Sequence, residues 1–310
     1  MTDSDRRRAY EVAGHIIKEQ MRRDASADAD AVEEIEAGDI LVVTGIYDHV
    51  EQVLEALGLP FTIVQPGRLA EIDLQPHQLL VVNCPGNLDS RALRRVAAFV
   101  HAGGSLFTTD WALKHVLEPA FPGLVAYNEQ PTPDTVVRVE VSDHDNPFLT
   151  GVMDGSDDPQ WWLEGSSYPI RILDRDRVTV LIRSRELGER WGESPVAITF
   201  RWGEGEVFHM ISHYYLQRTE FRTARHTGSA FAYGSEKGVD MAAVAPMADG
   251  LSLGDVESAA SSARVLVNVA AAKKREMIER EREKKASGRR SAGADLSVPS
   301  DRTGGTKEDA

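Results

Sequence analysis

Four short apolar runs, each closed by a turn and separated by helical patterns, constrain this chain more than any other feature. They are Ile40-Leu41-Val42-Val43, Phe61-Thr62-Ile63-Val64, Leu79-Leu80-Val81-Val82 and Ser105-Leu106-Phe107-Thr108-Thr109. Successive apolar positions mark strands buried on both faces, as in a parallel sheet. Between them, Val50, Val53, Leu54 and Leu57 repeat at helical spacing before Gly58. Leu93, Val96, Ala97 and Val100 do the same, with Ser90 as the expected N-cap and Gly103-Gly104 as the stop. Strands alternating with such helices imply right-handed crossovers and a sheet with helices on both faces. Ligands in such folds sit beyond the carboxyl ends of the strands. Here those ends carry Gly45-Ile46-Tyr47-Asp48, Cys84-Pro85-Gly86-Asn87 and Asp110-Trp111.

The rest of the chain supplies additions to that core. Residues 4 to 23 read as a helix with Ala9, Val12, Ala13, Ile16, Ile17 and Met21 on one stripe. An acidic, alanine-rich linker follows, to Gly38. Trp111 to Leu117 is expected as a short helix ended by Pro119 and Pro122. Thr135–Val141, Ile170–Leu173, Val178–Ile182, Val196–Phe200 and Glu206–Ser212 read as further, largely antiparallel strands. Gln217 to Gly250 is a long Gly/Ala/Ser-rich stretch, expected as a loop near the binding edge. A helix from about Asp255 has Val256, Ala259, Ala260, Ala263, Leu266, Val267 and Ala270 on its buried side. From Lys273 to Lys285 it is fully charged and expected to project into solvent. Residues 286 to 310 have the composition of a disordered tail. The division is therefore 1–38, a helix and linker; 39–272, the α/β domain; and 273–310, a charged extension and tail.

Several motifs, taken in order, resemble the class I glutamine amidotransferase-like fold, in particular its trehalose-utilisation-like (ThuA-like) branch. LLVVNCPGN is similar to that family's third strand and glycine-rich loop, which in active members helps form the oxyanion hole. AFVHAGGSLFTTDWAL resembles the approach to the nucleophile elbow. GEGEVFHMISHYYL resembles the strand delivering the family's histidine, and NPFLTGV a turn of the ThuA-like branch. The resemblance implies a flavodoxin-like α/β fold, a mostly parallel sheet flanked by helices with added antiparallel strands. It places the elbow at Asp110 and the histidine at His213, followed by Tyr214-Tyr215 where the family has Pro-Glu. Glutamine hydrolysis needs a thiolate nucleophile, a base and a group orienting that base. The elbow offers a carboxylate, and the single cysteine, Cys84, lies on the other loop.

The expectation is a non-catalytic amidotransferase-like module that binds a small molecule or a protein partner. A hydrolase acting on a carbohydrate or amide through Asp110 and His213 is the first alternative. A scaffold assembling a complex through its terminal helices is the second. Candidates for residual chemistry are Asp110, His213 and Cys84. The candidate ligand-binding set is Tyr47, Cys84, Asn87, Asp110, Trp111, His213 and Arg218. Plainer roles compete: Cys84 as a small packed residue, Asp110 as a helix N-cap, His213 as a hydrogen-bonded strand-end histidine. Trp161-Trp162 reads as packing, or else as an aromatic platform for a sugar. Arg218, Arg222 and Arg225 read as a solvated face, or else as a grip on an anion. Asp143-His144-Asp145 reads as a surface turn. His209 and His213 lie about 13 Å apart along a strand, too far to share an ion by themselves. No metal and no cofactor is expected, and no P-loop, dinucleotide fingerprint or HExxH occurs.

A net charge of −14 argues against nucleic acid and acidic membranes as partners. No apolar run reaches the roughly 20 residues needed to cross a bilayer, and one cysteine fits a reducing compartment. The expected location is cytoplasmic, and a homo-oligomer is left open.

Overall fold

The computed structural model describes residues 3–214 and 219–294. An eight-stranded sheet forms the centre, in the order β2-β1-β3-β4-β12-β11-β10-β7. Strands β1 (Ile40–Val43), β2 (Thr62–Val64), β3 (Leu79–Val82) and β4 (Ser105–Thr109) are the four expected from the sequence. They run parallel, with Val42 beside Val81 and Leu80 beside Leu106. Strand β12 (Gly205–Met210) is the fifth parallel strand and pairs Phe208 with Phe107. Strands β11 (Pro195–Trp202), β10 (Val178–Arg183) and β7 (Glu140–Val141) then extend the sheet antiparallel. The expected strand at Thr135–Val141 divides in two. Its first half, β6 (Thr135–Arg138), leaves the main sheet and pairs with β8 (Gln160–Leu163). Strands β5 (Val125–Tyr127) and β9 (Ile170–Ile172) make another small ribbon.

Helices α3 (Val50–Leu57) and α4 (Ser90–His101) make the expected crossovers. Gly58 closes α3 in the left-handed region. The N-cap of α4 is Asp89, whose carboxylate accepts from the Ala92 N–H at 2.7 Å, and not Ser90. After β4 the chain makes a wide π-type turn, Leu113–Leu117, continued by the one-turn α5 (Glu118–Ala120). Helix α6 (Arg185–Trp191) joins β10 to β11.

Helices α1 (Asp3–Asp24) and α9 (Leu253–Ala294) pack on each other. All six residues of the expected α1 stripe are buried, and they share one core with the sheet. The supposed linker contains α2 (Ser26–Glu33), which also packs on α9. Helix α9 is buried on more than one side: Ser258, Ser261, Ser262, Arg264 and Asn268 are covered as well as its apolar stripe. The start of its charged segment does not project into solvent. Lys273 is buried with its ammonium on the Gly103 carbonyl and on Glu276, Lys274 pairs with Asp39 at 2.8 Å, and Arg275 with Asp28 at 2.7 Å. Among the residues whose exposure is described, those from Glu279 to Lys285 are exposed. The helix continues to Ala294, where a tail was expected. The remainder of that tail lies outside the described residues.

The segment expected as a loop over the binding edge is folded. It contains α7 (Ala230–Glu236) and α8 (Ala245–Ala248), and it buries Tyr233, Met241, Val244, Ala248 and Leu251 against α1 and α9. Among the described residues, no helix is long and apolar enough to cross a membrane.

Candidate functional site

The carboxyl ends of β1, β3, β4 and β12 converge on one buried polar centre. Gly45 follows β1 so closely under β3 that a Cβ there would stand 2.2 Å from the Cys84 carbonyl. That carbonyl accepts from the N–H groups of Ile46 and Tyr47 at 3.0 and 3.3 Å. The Cys84 N–H in turn donates to Thr109 Oγ1 at 3.0 Å. The cysteine is thus fixed between the ends of its two neighbouring strands.

Asp110 ends β4 with a φ of 41°. A side-chain-bearing residue in this region is strained by about 1–3 kcal/mol and needs its surroundings to hold it there. The holding contacts are visible. The Asp110 N–H donates to the Met210 carbonyl at 2.8 Å. Its carboxylate accepts from the Tyr168 N–H at 2.8 Å and from Ser167 Oγ at 3.2 Å. The carboxylate is therefore not the cap of the following turn; only the Asp110 backbone carbonyl serves it, accepting from the Leu113 N–H at 2.9 Å.

His213 follows β12 and faces the same centre. Its Nε2 lies 3.2 Å from Asp110 Oδ2, and its Nδ1 lies 2.7 Å from Glu164 Oε2. One side-chain donor atom from each of Cys84, Asp110 and His213 lies within 4.8 Å of the others. Burial opposes a charged imidazole, but its hydrogen bonds to Asp110, Cys84 and Glu164 and the nearby Asp48 raise His213 well above its ordinary pKa. Burial pushes the Asp110 carboxyl up, against the lowering by His213 and the Tyr168 N–H. It also pushes the Cys84 thiol up to about 11, although His213 pulls the other way. The thiol is thus not a ready nucleophile near neutrality.

Aromatic side chains are carried by the segments that hold this centre: the Tyr47 N–H donates to the Cys84 carbonyl, the Tyr168 N–H to Asp110, and Trp111 follows Asp110 in the chain. Tyr47 meets Trp111 edge-on at 5.2 Å, Tyr168 stacks on Trp111 at 5.3 Å, and Tyr127 stacks on Tyr168 at 3.9 Å. The Trp111 Nε1–H donates to the Ser166 carbonyl at 2.7 Å. Tyr47 is exposed, while Trp111 and Tyr168 are half-buried.

The sequence-derived set divides accordingly. Cys84, Asp110 and His213 come together, and Trp111 and Tyr47 meet each other edge-on. Asn87 is exposed in the loop before α4 and takes no part in the hydrogen bonds of the cluster. Arg218 lies outside the described residues. Arg222 and Arg225 pair with carboxylates of the chain itself: Arg222 with Glu186 at 2.8 Å, and Arg225 with Glu257 at 2.7 Å and Glu236 at 2.8 Å. Trp161 and Trp162 are buried in β8 and offer no platform. Asp143-His144-Asp145 is an exposed turn. His209 faces Thr108, whose Oγ1 lies 2.8 Å from its Nδ1.

Glu164, Ser167 and Tyr168 were missed. They come from the turn between β8 and β9, and the only sequence signal was the polar Gly165-Ser166-Ser167 step after an apolar run. The centre is also closed, not an open crevice. Clefts of about 420 and 730 Å³ lie instead between α2 and α9, lined by residues such as Asp30, Glu34, Lys274 and Arg282.

No family model matches the sequence, and no curated protein sequence matches it. Solved structures match in part. A putative GMP synthase subunit from Thermoplasma acidophilum is 17% identical, with 60% of this chain and 87% of that chain covered and a TM-score of 0.42. A putative ThuA-like protein from Bacteroides uniformis is 12% identical, with 57% and 81% covered and a TM-score of 0.41. A beta-galactosidase from Rahnella sp. R3 is 14% identical, with 58% of this chain covered and a TM-score of 0.39; this chain spans only 29% of its length. These are similarities of backbone arrangement alone.

Proposed function

We propose that the chain is a small-molecule-binding module that uses the carboxyl edge of its sheet and does not hydrolyse glutamine. The observation that carries the reading is the aromatic group of exposed Tyr47 and half-buried Trp111 and Tyr168, carried by the same chain segments that hold the buried Cys84–Asp110–His213 centre. Planar faces beside fixed polar groups suit a ligand with one flat or apolar side and a polar substituent. The glutaminase role lacks support because the elbow carries Asp110, and the thiol comes from a different strand with its pKa raised. The scaffold reading is weaker, since the apolar sides of α1 and α9 are spent on the chain's own core.

A hydrolase remains the second reading, favoured by one observation. The Asp110–His213–Glu164 line places a carboxylate at a strained elbow beside a histidine oriented by a second carboxylate.

A thermal-shift screen against metabolites tests the binding reading. Ligands that raise the melting temperature of the wild type should fail to do so with Trp111→Ala, while the variant itself stays folded. Hits indifferent to Trp111→Ala and Tyr47→Ala would move the site elsewhere. Ammonia release from glutamine that Cys84→Ser abolishes would replace the non-catalytic reading with an enzymatic one.

A further inference from the structure

We propose that Cys84 Sγ, Asp110 Oδ2 and His213 Nε2 form a binding site for a divalent transition-metal ion of the zinc type, with Glu164 as the outer carboxylate that orients the His213 ring. Thiolate, imidazole and carboxylate are the three side-chain ligands zinc takes, and three protein ligands leave a fourth coordination position for an exogenous group. The spacing fits. Nitrogen and oxygen ligands of a tetrahedral ion, each about 2.0–2.1 Å from it, stand about 3.3 Å apart. His213 Nε2 and Asp110 Oδ2 stand 3.2 Å apart, and Sγ completes a group spanning no more than 4.8 Å.

The surroundings supply a second, independent indication. Metal-bound histidines usually donate their other N–H to a carboxylate, which fixes the tautomer and turns the ring. His213 Nδ1 makes that contact with Glu164 Oε2 at 2.7 Å. Asp110 is likewise held in place by Ser167 Oγ and the Tyr168 N–H, which leaves its Oδ2 turned to His213. The Glu164 side chain beside the His213 ring is 35% exposed.

The inference needs only these ligand atoms and stands apart from the small-molecule reading. A metabolite bound by metal-free protein would support that reading alone, and metal binding without any metabolite would support this one alone. The test is titration of the full, chelator-treated chain with Co²⁺, followed by displacement with Zn²⁺. One ion per chain is expected, with an intense near-ultraviolet sulfur-to-cobalt charge-transfer band. Cys84→Ser should lose the band and weaken binding at least about 100-fold. Glu164→Gln should keep the band but weaken binding about 10–100-fold, the range for an outer-shell partner. A folded wild-type chain that gives no sulfur-to-cobalt band overturns the proposal, whatever the variants do. Affinity unchanged in Asp110→Asn overturns it equally.

Discussion

At the scale of single residues, the histidines of β12 and its exit show how position along one strand decides chemistry. His213 leaves the strand among carboxylates and is raised. His209, four residues earlier, is buried with Thr108 as its partner, and burial holds its pKa down at about 3. The consequence for stability has a definite sign. An unfolded chain takes up a proton on this ring below about 6.5, whereas the folded chain does so only near 3. Stability from His209 is therefore complete above about 6.5 and is lost as pH falls toward 3, by up to about 1.4 kcal/mol per pH unit. Urea unfolding of the wild type and of His209→Leu across this range checks it. The wild-type free energy should fall relative to the variant as pH drops, and parallel curves would refute the assignment. Asp110 carries the complementary lesson. A carboxylate just before a helical turn reads as a cap, yet its oxygens are taken by Ser167, Tyr168 and His213, contacts from segments 50 and more residues away.

At the scale of elements, the parallel strands and α1 were legible because each carries its own periodicity. Residues 227–247 were not. Their glycine, serine and alanine content matches a mobile loop, but small residues also allow close helix packing. Here Gly234 lies so near Met241 that a Cβ would stand 2.3 Å from its sulfur. Deleting 227–247 removes α7, the buried Tyr233 and Met241, and the Lys237 ammonium that pairs with Asp157 at 2.7 Å. The expected result is a chain that loses cooperative unfolding and near-ultraviolet circular dichroism. A deleted protein with an unchanged urea midpoint would show that the segment is dispensable. The same logic explains α9. Its alanines and serines look like a weak amphipathic surface in isolation, and they are covered because α1, α2 and α7 all pack on it.

At the scale of the whole molecule, the N-terminal helix is part of the core and not an appendage. Ile16, Ile17, Val12 and Met21 are buried against the same cluster that includes the sheet. Each such side chain contributes about 1.5–3 kcal/mol on burial, against a net stability of only about 5–15 kcal/mol for a typical protein. A chain beginning at Asp39 lacks all of them and exposes the face of α9 they cover. It should bind a hydrophobic dye and lose its fixed aromatic environment while keeping helical and strand content, as measured by far- and near-ultraviolet circular dichroism. Two-state unfolding at wild-type stability would show that α1 only decorates the fold.

By itself, the sequence determined the parallel strands, their crossovers, the α1 stripe, and the strand ends where Cys84, Asp110 and His213 stand. Those features follow from local periodicity and from the rule that parallel sheets gather polar groups at their carboxyl ends. Tertiary structure alone decided the rest. It brought Glu164 and Tyr168 from the turn between β8 and β9, outside the main sheet, paired Arg222 and Arg225 internally, buried the charged start of the α9 extension, and buried Cys84, Asp110 and His213. The physical reason is the same in each case. Ion pairs and ring contacts between residues tens of positions apart leave no periodic trace in the chain, because their energy depends on distance in space and not on separation in sequence.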